Sequence, residues 1–169
     1  AVAPPDFSAK SDADLVAAYP RVAQVKQIVD AALVESAAVG NQPVGEIAGD
    51  VTRAFSNGSY VNGVWVSPTP RTEDRLSESS IGDLVGNALR DGIPADMGEP
   101  ALGIVNPGGL RADLFYAGDT SSNPANTDGV VTYAEANAVL PFVNNIWLID
   151  LTGAELKQVL EQQWQTNPG

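Results

Sequence analysis

The sequence predicts a mixed α/β domain, a mixed sheet flanked by helices. Three observations point there. The chain has 169 residues, of which 44% are hydrophobic, enough for one domain with its own core. Apolar residues recur at helical spacing in several segments. Between them lie short apolar runs bounded by Gly, Pro and Asn, the signature of strands and their turns. There is no internal repeat, and no apolar run approaches the ~18 residues that span a bilayer.

Ala1–Lys10 is Pro-rich and reads as an extended linker, and residues 1–19 together form a tail. Ser11 and Asp14 have the Ser-x-x-Asp form of a helix start, and Pro20 then restarts or kinks that helix. From Pro20, the residues Val22, Val25, Ile28, Val29, Ala32 and Leu33 predict one long amphipathic helix, closed by Gly40. Residues 20–41 are read as a connecting helix to an earlier domain, and 42–169 as the domain itself. Gln42–Thr52 predicts a strand weakened by Gly45 and Gly49. Arg53–Pro70, with Asn57-Gly58 and Asn62-Gly63, predicts a hairpin or irregular loop.

A helix is expected from about Glu78 to Arg90, started by Ser80 and Asp83, with Ile81, Leu84, Val85, Ala88 and Leu89 on its apolar face. Ala101–Val105 reads as a buried strand, ended by Asn106, Pro107 and two glycines. Asp113–Gly129 reads as a polar surface insertion without calcium-loop spacing. Val130–Thr132 is a short strand, Tyr133–Val139 a short helix and Ile146–Leu151 a strong strand. Thr152 and Glu155 form a capping box ahead of a last helix lined by Leu156, Val159, Leu160 and Trp164.

The net charge of −12 opposes binding to nucleic acid or to an anionic membrane surface. With no Cys and no His, disulfides, thiol chemistry, the commonest metal ligand and the commonest general base are all missing. What remains is a set of binding groups on three loops. Arg71 and Arg75 precede a helix start that is electropositive through its free N–H groups. Asn106, Gly108, Gly109 and Arg111 form a turn of permissive backbone beside a cation, suited to an anion. Phe142 and Asn144 offer an aromatic face beside an amide, suited to a nucleobase. Each also has a plainer reading: arginines in local ion pairs with Glu73 and Asp74, a tight turn with a surface Arg, and a loop aromatic folded onto the core. No residue among them is a nucleophile or a base.

Five segments occur in order: Glu78-Ser-Ser-Ile-Gly-Asp-Leu84, Ile104-Val-Asn-Pro-Gly-Gly-Leu-Arg111, Val131-Thr-Tyr133, Val139-Leu-Pro-Phe142 and Asp150-Leu-Thr-Gly-Ala-Glu-Leu156. Together they closely resemble the C-terminal domain of the 5′-nucleotidase family, over about Asp30 to Trp164. The resemblance implies a substrate-recognition domain that works with an N-terminal metallophosphoesterase domain carrying two divalent metal ions. That enzyme hydrolyses nucleotide phosphoesters to nucleoside and phosphate outside the cytoplasm, being secreted, periplasmic or bound to the cell wall. It further implies that Arg71, Arg75 and Arg111 contact phosphate, that Asn106 in its Gly-Gly turn contacts the nucleoside, that Phe142 stacks on the base and that Asn144 assists.

Two positions depart from the family pattern. Val143 stands where the family usually has Gly after the Pro-Phe pair, and Pro107 stands where it often has a third Gly. The resemblance also places the family's second stacking aromatic and ribose-binding Asp beyond Gly169, and its metal ligands before Ala1. The expectation is a fragment that holds no catalytic residue or metal of its own and is inactive alone, with a nucleotide as ligand. The other expectation kept open is a stand-alone, non-catalytic module for nucleotides or other anions.

Overall fold

The computed structural model of the chain describes residues 10–61, 64–66 and 70–164. The elements are α1 (Asp12–Ala18), α2 (Pro20–Gly40), β1 (Pro43–Glu46), β2 (Ser59–Val61), β3 (Val64–Val66), α3 (Ser80–Asp91), β4 (Val130–Thr132), α4 (Tyr133–Val139) and α5 (Gly153–Gln162), with 3₁₀ turns at Ala95–Met97 and Pro107–Gly109. The class is mixed α/β, as the segment pattern predicts. Strand β1 pairs antiparallel with β4, and its register slips between Pro43 and Gly45, where the sequence weakens the strand. Strands β2 and β3 form a separate antiparallel hairpin. Asn62-Gly63, the turn dipeptide between them, lies outside the described residues.

Local chemistry sets the helix starts. Ser11 and Asp14 close a capping box, so α1 begins where the Ser-x-x-Asp pattern puts it. Pro20 opens α2 as its first residue, where its missing N–H costs nothing, so it restarts the chain rather than kinking a helix. The N-cap of α3 is Ser79, whose hydroxyl accepts from Gly82 N–H at 3.1 Å, and not Ser80. Ser80 is used differently: its hydroxyl accepts from the Thr52 N–H at 2.9 Å and donates to the Thr52 carbonyl at 3.2 Å. That single side chain ties the start of α3 to the strand-like segment after β1.

The core is small and sits between α3, the Val105–Leu114 segment and the β4–α4 corner. Ile81 is fully buried, and Val85, Leu110, Leu114, Val131 and Val139 surround it. An antiparallel bridge between Val51 and Leu114, with both N–H to carbonyl bonds made, closes one side. Asp113–Gly129 is therefore more than a surface insertion. Leu114 is core, and Asn123 and Asn126 are buried. The Asn123 amide donates to the carbonyl of Asn41 at 3.0 Å, and the Asn126 amide to Glu135 at 3.1 Å. Glu135 also accepts from the Thr132 N–H and hydroxyl, capping α4. Burial pushes its carboxyl up, but the Thr132 and Asn126 hydrogen bonds together outweigh this and hold it below the ordinary range.

Two predicted strands take another form. Ala101–Val105 and Ile146–Leu151 carry no strand, and neither joins a ladder among the described residues. Leu102 and Ile104 are exposed, and Trp147 is 80% exposed. A strand is defined by a hydrogen-bonded neighbour, and an apolar run that finds none forms no ladder. Helix α2 likewise forms as its spacing predicts, yet buries none of its residues. Its C-terminus meets α4, where Gly40 lies so close to Ala134 that a Cβ would stand 3.3 Å from that methyl.

Candidate functional site

The turn at Asn106–Arg111 is held from below by the core. Leu110 is buried, and the Arg111 N–H donates to the Val139 carbonyl at 2.9 Å, fastening the turn to the end of α4. Within it, the Gly109 N–H donates to the Asn106 carbonyl at 3.0 Å and the Leu110 N–H to that of Pro107 at 3.1 Å. Pro107 has no N–H, and that of Gly108 stands outside this set. Positive φ among glycines occurs at Gly98 and Gly129, not in this turn. The surroundings of the two turn glycines differ: a Cβ would be tight at Gly109 and in ordinary contact at Gly108. A Cβ on Gly109 would stand 3.1 Å from Asn106 Oδ1, and one on Gly108 would stand 3.4 Å from Asn106 Nδ2 and 3.7 Å from Arg75 Nη1.

Most of the predicted residues gather here. Arg75 reaches Gly108 from the loop before α3. Arg111 Nη1 donates a long bond to the Gly108 carbonyl, at 3.4 Å, and its guanidinium lies 5.9 Å from the centre of the Phe142 ring. Phe142 is not folded onto the core; it is 58% exposed. Two clefts adjoin the turn and share Arg90 and Leu102–Val105 in their linings. One, of about 520 Å³, is lined by Arg53, Glu73, Arg75 and Pro107. The other, of about 970 Å³, is lined by Asn106, Gly109, Phe142 and Asn144. The first side is mixed in charge, setting Arg53, Arg75 and Arg90 among Glu73, Asp74, Glu78 and Asp83, and the second presents an aromatic face with the amides of Asn106, Asn144 and Asn145.

Arg71 is engaged differently from its partners. Its guanidinium lies 4.6 Å from the Phe115 ring centre and 5.3 Å from that of Phe55, and Nη1 is 3.8 Å from Asp113 Oδ2. Asp113 is the hub. Its side chain is 6% exposed and accepts from the Arg53 N–H at 2.8 Å, from Arg53 Nε at 3.1 Å and from Arg53 Nη2 at 3.2 Å. This forked hydrogen bond, the larger influence against some burial, raises the Arg53 guanidinium above its ordinary value. Arg53 Nη1 also stands 3.7 Å from Glu73, and Glu73 accepts from Arg75 Nη2 at 3.1 Å. The local pairing expected between Arg75 and Glu73 is therefore present. Asp74 instead accepts from the Leu76 N–H and the Ser77 hydroxyl. Sequence patterns did not single out Arg53 or Asp113, which lie 60 residues apart.

Val143, in the loop after Phe142, has φ +50°. A β-branched residue in the left-handed region is strained by about 1–2 kcal/mol. The residue is 86% exposed, so little packing offsets the strain. Val143→Gly should remove it, less about 0.5–1 kcal/mol of added backbone entropy in the unfolded chain. The expected result is a urea midpoint raised by the equivalent of up to about 1 kcal/mol. A lowered midpoint would show that the Val side chain is needed where it stands.

A family model described as "5′-nucleotidase, C-terminal domain" matches residues 54–169, well over half of the chain. The chain belongs to that family. Among relatives, it is 27% identical over 142 residues to a probable 5′-nucleotidase of Treponema pallidum, covering 84% of this chain and 20% of that protein. It is 35% identical over 95 residues to a trifunctional nucleotide phosphoesterase of Bacillus subtilis, covering 54% of this chain and 5% of that protein. It is 30% identical over 90 residues to a cell wall protein of Listeria monocytogenes, covering 53% and 11%. The matched region thus spans a fifth or less of these relatives. No solved structure matches the chain.

Proposed function

We propose that this chain is the substrate-recognition domain of a 5′-nucleotidase-type metallophosphohydrolase that converts nucleotides to nucleoside and phosphate. The observation that carries the reading is the turn itself, with two arginines beside it and an aromatic-lined cleft next to it. Arg75 and Arg111 flank Gly108 and can take phosphate by charge-assisted hydrogen bonds. Phe142, Asn106 and Asn144 line the larger, more apolar cleft and can take the nucleoside by stacking and amide contacts. Arg71, held between two rings and Asp113, belongs to the same charged strip and serves the phosphate side from behind.

Hydrolysis is assigned to a separate N-terminal metallophosphoesterase domain with two divalent metal ions. Among the described residues, no three His, Cys, Asp or Glu side chains are grouped to hold a metal. This chain's part is to bind and orient the nucleotide for chemistry performed elsewhere. The kinship with a nucleotidase and a cell wall protein favours a place outside the cytoplasm. No described helix is long and apolar enough to cross a membrane.

In the protein that joins this chain to its catalytic domain, Arg111→Ala should lower kcat/KM for AMP by the equivalent of about 1.5–3 kcal/mol, the scale of a hydrogen bond to a charged group. Steady-state kinetics with AMP measures this, and unchanged constants would remove Arg111 from the phosphate contact. The chain alone, assayed on AMP with manganese or zinc, should release no phosphate.

A further inference from the structure

Arg71, Arg53 and Arg75 do not stand singly. They form an alternating series: Arg71 beside Asp113, Asp113 forked to Arg53, Arg53 beside Glu73, and Glu73 bonded to Arg75. The series runs from a side chain that is almost fully buried, Asp113, to one that is half exposed, Arg75. The backbone beneath it is fixed too. Phe55 and Glu73 form an antiparallel bridge, the Ser56 N–H donates to the Thr72 carbonyl at 3.0 Å, and the Asp74 N–H to that of Ala54 at 2.9 Å. Glu73 is thus a carboxylate on a pinned backbone, with one oxygen toward Arg53 and the other on Arg75.

We infer that Glu73 is a positioning residue for Arg75: it holds Nη2 so that Nη1 faces Gly108 and the anion that the turn would take. The inference rests on the phosphate reading of Arg75 given above. A long, half-exposed Arg loses much of its rotamer freedom when it is ordered, and a carboxylate that holds one nitrogen meets that cost before the ligand arrives. Because a guanidinium carries five N–H donors in a rigid fork, the bond to Glu73 leaves donors for phosphate. Arg53, itself held by Asp113, stands one step further back as an ion pair 3.7 Å from the other oxygen of Glu73.

The sign of the effect distinguishes positioning from simple charge. Removing an acid beside a phosphate site strengthens anion binding by electrostatics alone. If Glu73 positions Arg75, Glu73→Gln instead weakens it. The test uses the isotope-labelled chain, with inorganic phosphate and AMP as probes, and follows the Arg75 guanidinium N–H signals by NMR alongside ligand titrations. The expected result is faster rotation about the Arg75 guanidinium in Glu73→Gln, an at least threefold loss of affinity, and no further loss when Glu73→Gln is added to Arg75→Ala. A rotation rate equal to that of the unaltered chain, or tighter phosphate binding, would overturn the positioning role. Equal phosphate binding by Arg75→Ala and the unaltered chain would overturn the phosphate reading and this inference with it. That failure is recognisable because it appears without any change at Glu73. A thermal melt of each variant separates loss of fold from loss of position.

Discussion

Gly103→Ala should destabilise the chain by about 3 kcal/mol or more, at the top of the range for overpacking. A Cβ at Gly103 would stand 2.0 Å from the Gly86 carbonyl oxygen, 3.0 Å from its carbon and 3.3 Å from the Arg90 nitrogen. All three are backbone atoms of α3, so no side chain can swing away. The segment around Gly103 or the helix must move, and the same helix carries Ile81 and Val85 into the core. The reciprocal change makes a sharp control. A Cβ at Gly86 meets the Gly103 carbonyl oxygen at 3.5 Å, an ordinary contact. Gly86→Ala gains up to about 1 kcal/mol of helix propensity and should be neutral or stabilising. Urea unfolding of the pair measures both. Equal midpoints for the two variants would show that α3 and the segment before the turn are not in this contact.

Asp113→Ala should cost about 2–4 kcal/mol. Breaking a buried ion pair on one side costs ~3–5 kcal/mol, because the other charge stays behind without its partner. The figure here is set lower because Arg53 keeps nearly a quarter of its side-chain surface in water. The substitution also removes the acceptor of the Arg53 N–H and the anion beside Arg71. Asp113→Asn should fall between the two, keeping the shape and one acceptor oxygen while losing the charge. Denaturant midpoints for both variants, read with the phosphate titration, check this. An Asp113→Ala chain as stable as its parent would mean that the two arginines find solvent without loss.

These effects mark where sequence reading reached and where it stopped. The turn was legible because its chemistry is local: an apolar run, a Pro, two glycines and an Arg within a few residues. So were the capping boxes of α1 and α5, whose two partners lie three residues apart. Arg75 and Phe142, read from motifs in a fixed order, both stand beside the turn. Asp113 was grouped with a polar insertion because polarity suggests surface. Only the fold brings it under Arg53. The two apolar runs at Ala101–Val105 and Ile146–Leu151 carry every local sign of a strand, but pairing is a property of neighbours and not of the run itself. The turn glycines pointed to permissive backbone. Only the fold shows that Gly109 lies tight against the Asn106 amide, whereas Gly108 has ordinary room.

The most direct test is a titration of the isotope-labelled chain with AMP up to millimolar concentration, followed residue by residue by NMR. Binding is expected to be weak, because the cleft offers one stacking ring, worth ~1–3 kcal/mol per base. The expected shifts are confined to Arg75, Asn106, Gly108–Arg111 and Phe142–Asn144, with inorganic phosphate reproducing those at Arg75, Gly108 and Arg111 but not those at Phe142. Shifts absent from the turn, or confined to other segments, would contradict the assignment of this surface to a nucleotide.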